Sequence, residues 1–384
     1  MRSLRVAMII QRYLPFTGGA EHQLAAVVCR LPQYGIEPCV ITRRYDESLM
    51  SEVIDGVQVW RIPTPPTRVM ASAGFTAGAL RRLRSFRPDV VHAHELLSPT
   101  TTALAWKAIS PTPIIAKILR GGEIGDIGML SRNTLGRLRL TAIQRHVDVF
   151  AVISSEIDLE LARLNVPAGR RLFLPNGVNV DRFKPATPAE KQKIRSGLGL
   201  PDGPIAVFAG RLEPEKRVDR LADLWPRIRA SVPGAILIIA GSGALAARLC
   251  GRELDGVLPV GKQADMAPWY RAADAFILPS AAEGLSNALL EAMASGLVCV
   301  ATAVGGAVDL LGTGEAGLLA RPGDDLHLEE LTIRALLGDG TASLAAAARW
   351  IVETNYSLDA TVARMASSYR SMTRLETLSG CSTG

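Results

Sequence analysis

An apolar run, LRVAMII at 4–10, is followed by EHQLAAVVCRLPQYG at 21–35, which reads as a helix closed by Gly35, and then by a second apolar run, EPCVIT at 37–42. Runs of the same kind return as DVVHAH at 89–94, PIIAKIL at 113–119 and DVFAVIS at 148–154. Continuous Val- and Ile-rich runs separated by helical segments predict strands buried on both faces, hence a parallel sheet covered by helices. Over LPNGVNVDRFKPATPAE at 174–190 the pattern lapses into Pro, Asn and Gly, which predicts a hinge. The alternation then restarts with PIAVFAG (204–210), AILIIAG (235–241), GVLPVG (256–261), AFILPS (275–280) and LVCVAT (297–302). Two doubly wound α/β units joined by a linker are the simplest reading. Ligands of such sheets sit beyond the carboxyl ends of the strands, so chemistry is expected just after each run and in a cleft between the units.

Length and composition agree with this reading. A chain of 384 residues is comfortable as two domains, each able to bury a sizeable core. No window approaches 18 uncharged apolar residues, so no bilayer span is expected. The start, MRSLRVAMIIQRYLP, imitates a signal peptide but is broken by Gln11 and Arg12, and reads as a first strand. Cys29, Cys39, Cys250, Cys299 and Cys381 form no C-x-x-C pair, and most lie in apolar segments. Reduced, buried thiols and a cytoplasmic location follow, with neither a zinc site nor a disulfide framework.

The net charge of +6 is unevenly spread. Up to residue 175 there are 22 Lys and Arg against 14 Asp and Glu, and beyond it 21 against 23. Two clusters carry the excess, RRLRSFRP at 81–88 and RNTLGRLRLTAIQRH at 132–146. In the first, Leu80, Leu83 and Phe86 recur at three-residue spacing with arginines between, as on an amphipathic helix. Such a cluster is either a solvated outer face or an attraction for anionic lipid headgroups or an acidic acceptor. Nucleic acid is disfavoured, because aromatic residues make up only 5% and do not interleave with the cations.

EGLSNALLE, at 283–291, follows directly on the run that ends at Ser280. Ser286 is a candidate N-cap for a helix that Gly296 stops. The amides of Gly284, Leu285, Ser286 and Asn287 would then form an anion site at the positive end of that helix. Glu291 would lie about 7 to 8 Å further along the axis. The spacing suits a long ligand with a phosphate in its middle, Glu283 meeting hydroxyls at one end and Glu291 a ribose diol at the other. The plain alternative is a capped helix with two exposed glutamates. A second element, FAGRLEPEKRVDRL at 208–221, places Arg211 and Lys216 at the end of another strand. Two cations there can neutralise a diphosphate, the guanidinium in bidentate fashion and the ammonium as a point charge.

With these elements the sequence resembles the retaining nucleotide-sugar glycosyltransferases of family 4, which have the GT-B fold of two doubly wound Rossmann-like domains whose parallel sheets face each other across a cleft. The resemblance covers nearly the whole chain and rests on G-R-L-x3-K at 210–216, Glu-x7-Glu at 283–291 and VGGAVDLLGTGEAGLLARPGD at 304–324. It implies that Arg211 and Lys216 hold the donor diphosphate, that Glu291 binds the ribose, and that Glu283 contacts the donor sugar near the reacting carbon. It implies transfer with retention and without a metal or other cofactor, from a UDP-sugar or GDP-sugar. One departure is visible: where the family reads GGxxE, this chain has Gly305, Gly306 and then Asp309.

Domains are expected at 1–175, on the acceptor side, and at 176–356, binding the sugar nucleotide, with a helix at about 357–384 crossing back to the first. In PFTGGAE at 15–21, Gly18 and Gly19 let backbone approach a phosphate or sugar, and the absence of G-x-G-x-x-G counts against a nicotinamide enzyme. At HAHE, 92–95, the resemblance places a histidine that touches the donor sugar. Strand alternation is read as sending His92 to the opposite side, which leaves His94 for that role. Arg120, Gly121 and Glu123 of RGGEIGD (120–126) are candidates for the acceptor. His94, Glu283, Arg211 and Lys216 form the expected catalytic set, with the leaving phosphate as proton acceptor and closure about a hinge at 174–200 excluding water. The partners expected are a nucleotide-sugar donor and a saccharide or lipid-linked acceptor, as in assembly of bacterial surface polysaccharide or glycolipid. Peripheral contact with the inner face of the plasma membrane would follow from the basic N-terminal half. A non-catalytic sugar-nucleotide-binding or partner-binding subunit of the same fold is the alternative.

Overall fold

The computed structural model describes residues 2–16, 18–45, 48–65, 67–251 and 255–380, the side chains of 68, 69 and 374–380 excepted. Cys381 and the end of the segment expected to be helical over 357–384 lie outside the described residues. Two units emerge: one holds the residues up to Asn176 together with those from Asp359 onward, the other Gly177–Leu358.

The first unit is built on β1 (Leu4–Ile9), β2 (Ile36–Arg43), β3 (Ser51–Ile54), β4 (Val57–Ile62), β5 (Val90–His94), β6 (Ile114–Lys117), β7 (Val149–Val152) and β8 (Arg171–Phe173). They form one sheet in the order β3-β4-β2-β1-β5-β6-β7-β8. Every pairing is parallel except β3 with β4. Val6 to Ile9, Val90, Val91 and Ile114 to Ala116 are fully buried, because helices cover both faces of these central strands. The antiparallel β3–β4 hairpin escaped the reading of apolar runs, since β3 is a half-exposed edge. Its signal was the Asp55-Gly56 pair, which takes φ of 47° and 80°, as a two-residue hairpin turn requires.

The second unit has β9 (Ile205–Ala209), β10 (Ile236–Ala240), β11 (Val257–Gly261), β12 (Ala275–Leu278), β13 (Val298–Thr302) and β14 (Leu318–Ala320). Their order is β11-β10-β9-β12-β13-β14, all parallel. The chain therefore crosses from one side of β9 to the other between β11 and β12, leaving the loops after β9 and β12 side by side at a switch point. Both sheets are doubly wound and parallel in the main, which is the expected architecture.

The stretch expected as a hinge at 174–200 is not irregular throughout. Its second half is a helix, Pro188–Gly197, opened by a capping box in which Thr187 and Glu190 cap each other. That helix is tied to the second unit: Lys191 Nζ and Arg195 Nη2 hold the two carboxylate oxygens of Asp274 at 2.9 and 2.8 Å, and Arg195 Nε donates to the Ala272 carbonyl. Irregular backbone lies before Pro188 and, briefly, between Gly197 and the strand that starts at Ile205. The helix expected at 21–35 is likewise split, into an α-helix at Gly19–Val28 and a short 3-10 turn at Leu31–Tyr34 that ends on Gly35 at φ 67°.

The basic cluster at 81–88 sits on the helix Arg68–Phe86, where Ala79, Leu83 and Phe86 are buried and Arg81, Arg82 and Arg84 are exposed. Its arginines face outward and its apolar residues inward, as on an amphipathic helix. Of the cysteines, Cys39 and Cys299 are buried and Cys29 half-buried, whereas Cys250 is exposed, against the expectation for most thiols. Among the described residues no helix is long and apolar enough to cross a membrane.

Candidate active site

In the second unit, β9 runs out into Gly210, Arg211 and a single 3-10 turn, Pro214–Lys216, and Arg217, at φ 51°, opens the helix Val218–Ser231. Beside it, β12 leads through Pro279 and the fully buried Ser280 to Glu283 and then to the helix Asn287–Ala294. Ser286 caps that helix as expected, its Oγ accepting from the Leu289 amide. The two loops are stitched together: the Ala281 amide donates to the Glu215 carbonyl at 2.8 Å. Lys216 Nζ donates to Glu283 Oε1 at 2.5 Å, and Ser280 Oγ donates to the same oxygen at 2.7 Å. Glu283 is a buried carboxylate, which is tolerable only because a cation and a hydroxyl answer it.

The glycines of the 304–324 segment hold this loop in place. The Gly306 amide donates to the Gly284 carbonyl at 2.7 Å, and a Cβ on Gly305 or Gly306 would fall 2.2 Å from the Glu283 carbonyl or 2.6 Å from that of Gly284. Gly305 also takes φ 51°. Asp309, the departure from the family pattern, lies in the first turn of the helix Gly306–Leu311. The glycine backbone supplies the loop contacts described above.

Arg211 is far more exposed than Lys216, 52% against 15% of the side chain, and pairs with Glu215 at 3.0 Å inside its own loop. Glu291, half-buried, accepts from the Tyr270 hydroxyl at 3.1 Å. Burial pushes its carboxyl up to about 7, and the Tyr270 hydroxyl and the Arg182 guanidinium only partly counter this.

In the first unit, Gly18 is the N-cap of the helix Gly19–Val28, and a Cβ on it would strike the Glu21 carboxylate. His94 ends β5 and is buried, with Nε2 unpartnered among the described residues. His92 is not on the opposite side. Its ring stacks on that of His94, centroids 4.4 Å apart and planes 22° apart. Residues i and i+2 of a strand share a face, so alternation could not have separated them. Both imidazoles are held far on the neutral side, His92 down to about 3, by burial first and by the Lys117 cation second for His92; for His94 the other histidine ranks between the two.

The segment expected to meet the acceptor is a tight loop. Arg120 is half-buried and Glu123 exposed. Gly121 packs on the Glu156 carboxylate, and the Gly122 amide donates to Glu160 Oε1 at 2.5 Å. Beside it lies a cavity of about 490 Å³ lined by Gly122, Glu123, Ile127, Glu156, Glu160 and Arg163 among others.

Glu95 was missed. It follows His94, adopts φ 86° although it is not glycine, and is pushed up to about 8 by burial and by Asp126 and Glu21. Asp126, whose Oδ2 accepts from the Leu96 amide, is pushed up to about 6 by burial. Held backbone strain and displaced carboxyls together mark a site better than either alone. The only hint in the sequence was a carboxylate directly after HAH. Among the described residues no three His, Cys, Asp or Glu side chains are grouped so as to hold a metal ion.

Loops of one doubly wound sheet that present a lysine–glutamate pair, a capped helix start and a second acid suit the class of enzymes that take sugar nucleotides. Comparison with known proteins gives the same class. Residues 18–177 match the family model "Glycosyl transferase 4-like domain", and residues 203–339 match "Glycosyl transferases group 1". The chain is 30% identical over 337 residues to a GDP-mannose-dependent alpha-mannosyltransferase of Mycobacterium tuberculosis, covering 85% of this chain and 86% of the relative. It is 32% identical over 332 residues to a GDP-mannose-dependent monoacylated alpha-(1-6)-phosphatidylinositol monomannoside mannosyltransferase of Corynebacterium glutamicum, covering 82% of each. Its fold is similar to that of Anabaena Alr3699/HepE, solved in complex with UDP-glucose, with a TM-score of 0.79 at 19% identity over 96% of this chain and 100% of that one. The chain belongs to the family-4-like glycosyltransferases of the GT-B fold and is a nucleotide-sugar-dependent enzyme.

Proposed function

We propose that the protein moves a hexose from a UDP-sugar or GDP-sugar to an acceptor hydroxyl with retention at C1, using neither a metal ion nor an organic cofactor. The observation that carries this reading is the convergence of Lys216, Glu283 and the Ser286-capped helix start after β9 and β12. As the bond between C1 and the diphosphate loosens, positive charge develops on the sugar and negative charge on the leaving group. Arg211, Lys216 and the amides from Gly284 to Asn287 would stabilise that anion, a fixed array that needs no reorganisation in the transition state. Glu283 would contact the sugar, Glu291 the ribose diol, and Gly18, Gly19 and His94 the donor from the first domain. The leaving phosphate would accept the proton of the incoming hydroxyl. In this reading residues 1–175 form the acceptor side, with Arg120, Gly121 and Glu123 near the acceptor, and 176–356 the donor side. The test is release of nucleoside diphosphate from a donor panel in the presence of EDTA, with the product's anomeric configuration read by NMR. Release that depends on Lys216 supports the transferase. No release from any donor, with or without acceptors, would leave a binding subunit, and an inverted product would end the retaining assignment.

We also propose a lipid-linked acceptor at the cytoplasmic face of the membrane, with nucleic acid playing no part. The supporting observation is the helix Thr134–His146, which turns Leu140 and Ile143 inward while Leu135 and Leu138 stand 75% and 63% exposed among Arg132, Arg137, Arg139 and Arg145. An exposed apolar face bordered by cations fits an anionic interface. Sedimentation with phosphatidylglycerol vesicles should carry the protein down, and Leu135→Gln with Leu138→Gln should release it. Equal behaviour with purely zwitterionic vesicles would remove this part of the proposal.

A further inference from the structure

The C-terminal helix Leu358–Gly380 lies outside both ranges matched by the family models, yet one of its residues reaches the histidine pair. Tyr369 is fully buried, and its hydroxyl lies 2.7 Å from His92 Nδ1 and 3.8 Å from Met8 Sδ. Its ring meets the His92 ring edge-on at 5.9 Å. His92 in turn stacks on His94.

The hydrogen positions follow from satisfying the buried groups. His92 Nε2 has no partner among the described residues. A buried orphan donor is rarer than an under-satisfied acceptor. The consistent arrangement has His92 Nδ1–H donating to Tyr369 Oη and the Tyr369 hydroxyl donating to Met8 Sδ, leaving His92 Nε2 as a lone pair. Lys117 keeps the choice of tautomer meaningful. It pairs in register with His94 across β5 and β6, is buried, and donates to Asn176 Oδ1 at 3.0 Å with no carboxylate in ion-pair range among the described residues. A cation so placed disfavours a second positive charge on either ring.

We propose that Tyr369 is a positioning residue for His94: its hydroxyl fixes the tautomer and plane of His92, and the stacked His92 ring fixes the plane of His94. The inference rests on the reading that His94 touches the donor sugar. A histidine stacked on a ring that a buried hydroxyl itself fixes needs no reorientation when the sugar arrives, which is what a site gains from a rigid supporting shell.

The experiment compares wild type, His94→Ala and Tyr369→Phe for nucleoside-diphosphate release, with thermal melting and the imidazole ¹⁵N shifts of His92. Tyr369→Phe keeps the ring and loses only the hydroxyl. It should lower kcat about tenfold, leave the donor KM within twofold, and move the His92 shifts away from a single Nδ1–H tautomer. Unchanged kcat in Tyr369→Phe beside a severe loss in His94→Ala overturns this inference alone. Unchanged activity in His94→Ala overturns the reading beneath it. A kcat loss with unaltered His92 shifts overturns the inference too, since the hydroxyl would then act by another route. If Tyr369→Phe melts before assay, Met8→Leu, which removes the hydroxyl's acceptor and keeps both rings, should reproduce the shift change; its failure to do so overturns the proposal.

Discussion

Lys216 Nζ sits 2.5 Å from Glu283 Oε1, with 15% and 7% of the two side chains exposed, although 67 residues separate them in the chain. One ion pair thus joins the cation expected at the diphosphate to the acid expected at the sugar. Removing one partner of a nearly buried pair leaves the other charge uncompensated. Lys216→Met should therefore lower the unfolding free energy by about 3 kcal/mol in urea titrations. The double variant with Glu283→Gln should regain most of that while remaining inactive. A double variant no more stable than the single one would show that the pair is not what matters there.

Arg211 makes the opposite case. It pairs with Glu215, four residues on, and half of its side chain is in water. Arg211→Ala should change stability by no more than about 0.5 kcal/mol. Donor turnover should nevertheless fall about a hundredfold, the size of effect expected when a donor to a developing anion is lost. Intact turnover in that variant would take Arg211 out of the site.

Gly306→Ala probes the loop that carries Glu283. The added methyl would fall 2.6 Å from the Gly284 carbonyl, so the loop must move or the helix Gly306–Leu311 must shift. Activity should drop at least about tenfold, with a stability cost of about 1 to 3 kcal/mol, as for other overpacked sites. Full activity with an unchanged melting temperature would mean that the loop position is not critical.

Glu291 gives donor binding a pH dependence. Its carboxyl is pushed up to about 7, and only the ionised form can accept two hydroxyls of a ribose diol. Donor affinity should be constant above pH 7 and fall as the pH drops below it, by up to about tenfold per unit. Tyr270 hydrogen-bonds the charged form, so Tyr270→Phe should move the midpoint to higher pH. Calorimetric titration of nucleoside diphosphate between pH 5.5 and 8.5 checks both statements.

Glu95, pushed up to about 8, links stability to pH in the window from 6.5 to 8. Its folded pKa exceeds the unfolded value, so between the two the folded chain holds the proton more tightly and stability falls as pH rises. Glu291 adds to the fall until about pH 7. The slope is bounded at about 1.4 kcal/mol per pH unit for each group. Below pH 6.5 the neutral buried histidines pull the other way, because their folded pKa values lie beneath the unfolded ones. Melting temperatures should therefore decline from pH 6.5 to 8, and Glu95→Gln should flatten most of that decline.

The sequence by itself determined the two doubly wound sheets, because strands buried on both faces must be continuous apolar runs, and LRVAMII or AILIIAG can be little else. It also determined the start of the helix after Glu283, since Ser286 followed by an apolar segment is a local capping signal that needs no distant partner. Only the tertiary structure decided the rest. The Lys216–Glu283 pair, the Gly305–Gly306 support beneath the loop, and the reach of Tyr369 to His92 join segments 67, about 20 and 277 residues apart. Burial, which no local pattern states, is what displaces Glu95, Asp126 and Glu291 from ordinary carboxyl behaviour. Two basic clusters that read alike also parted company: the helix Arg68–Phe86 turns its large apolar residues Leu83 and Phe86 inward, whereas Thr134–His146 shows Leu135 and Leu138 to solvent. Which face of a helix meets the core depends on what packs against it, and that is settled in three dimensions.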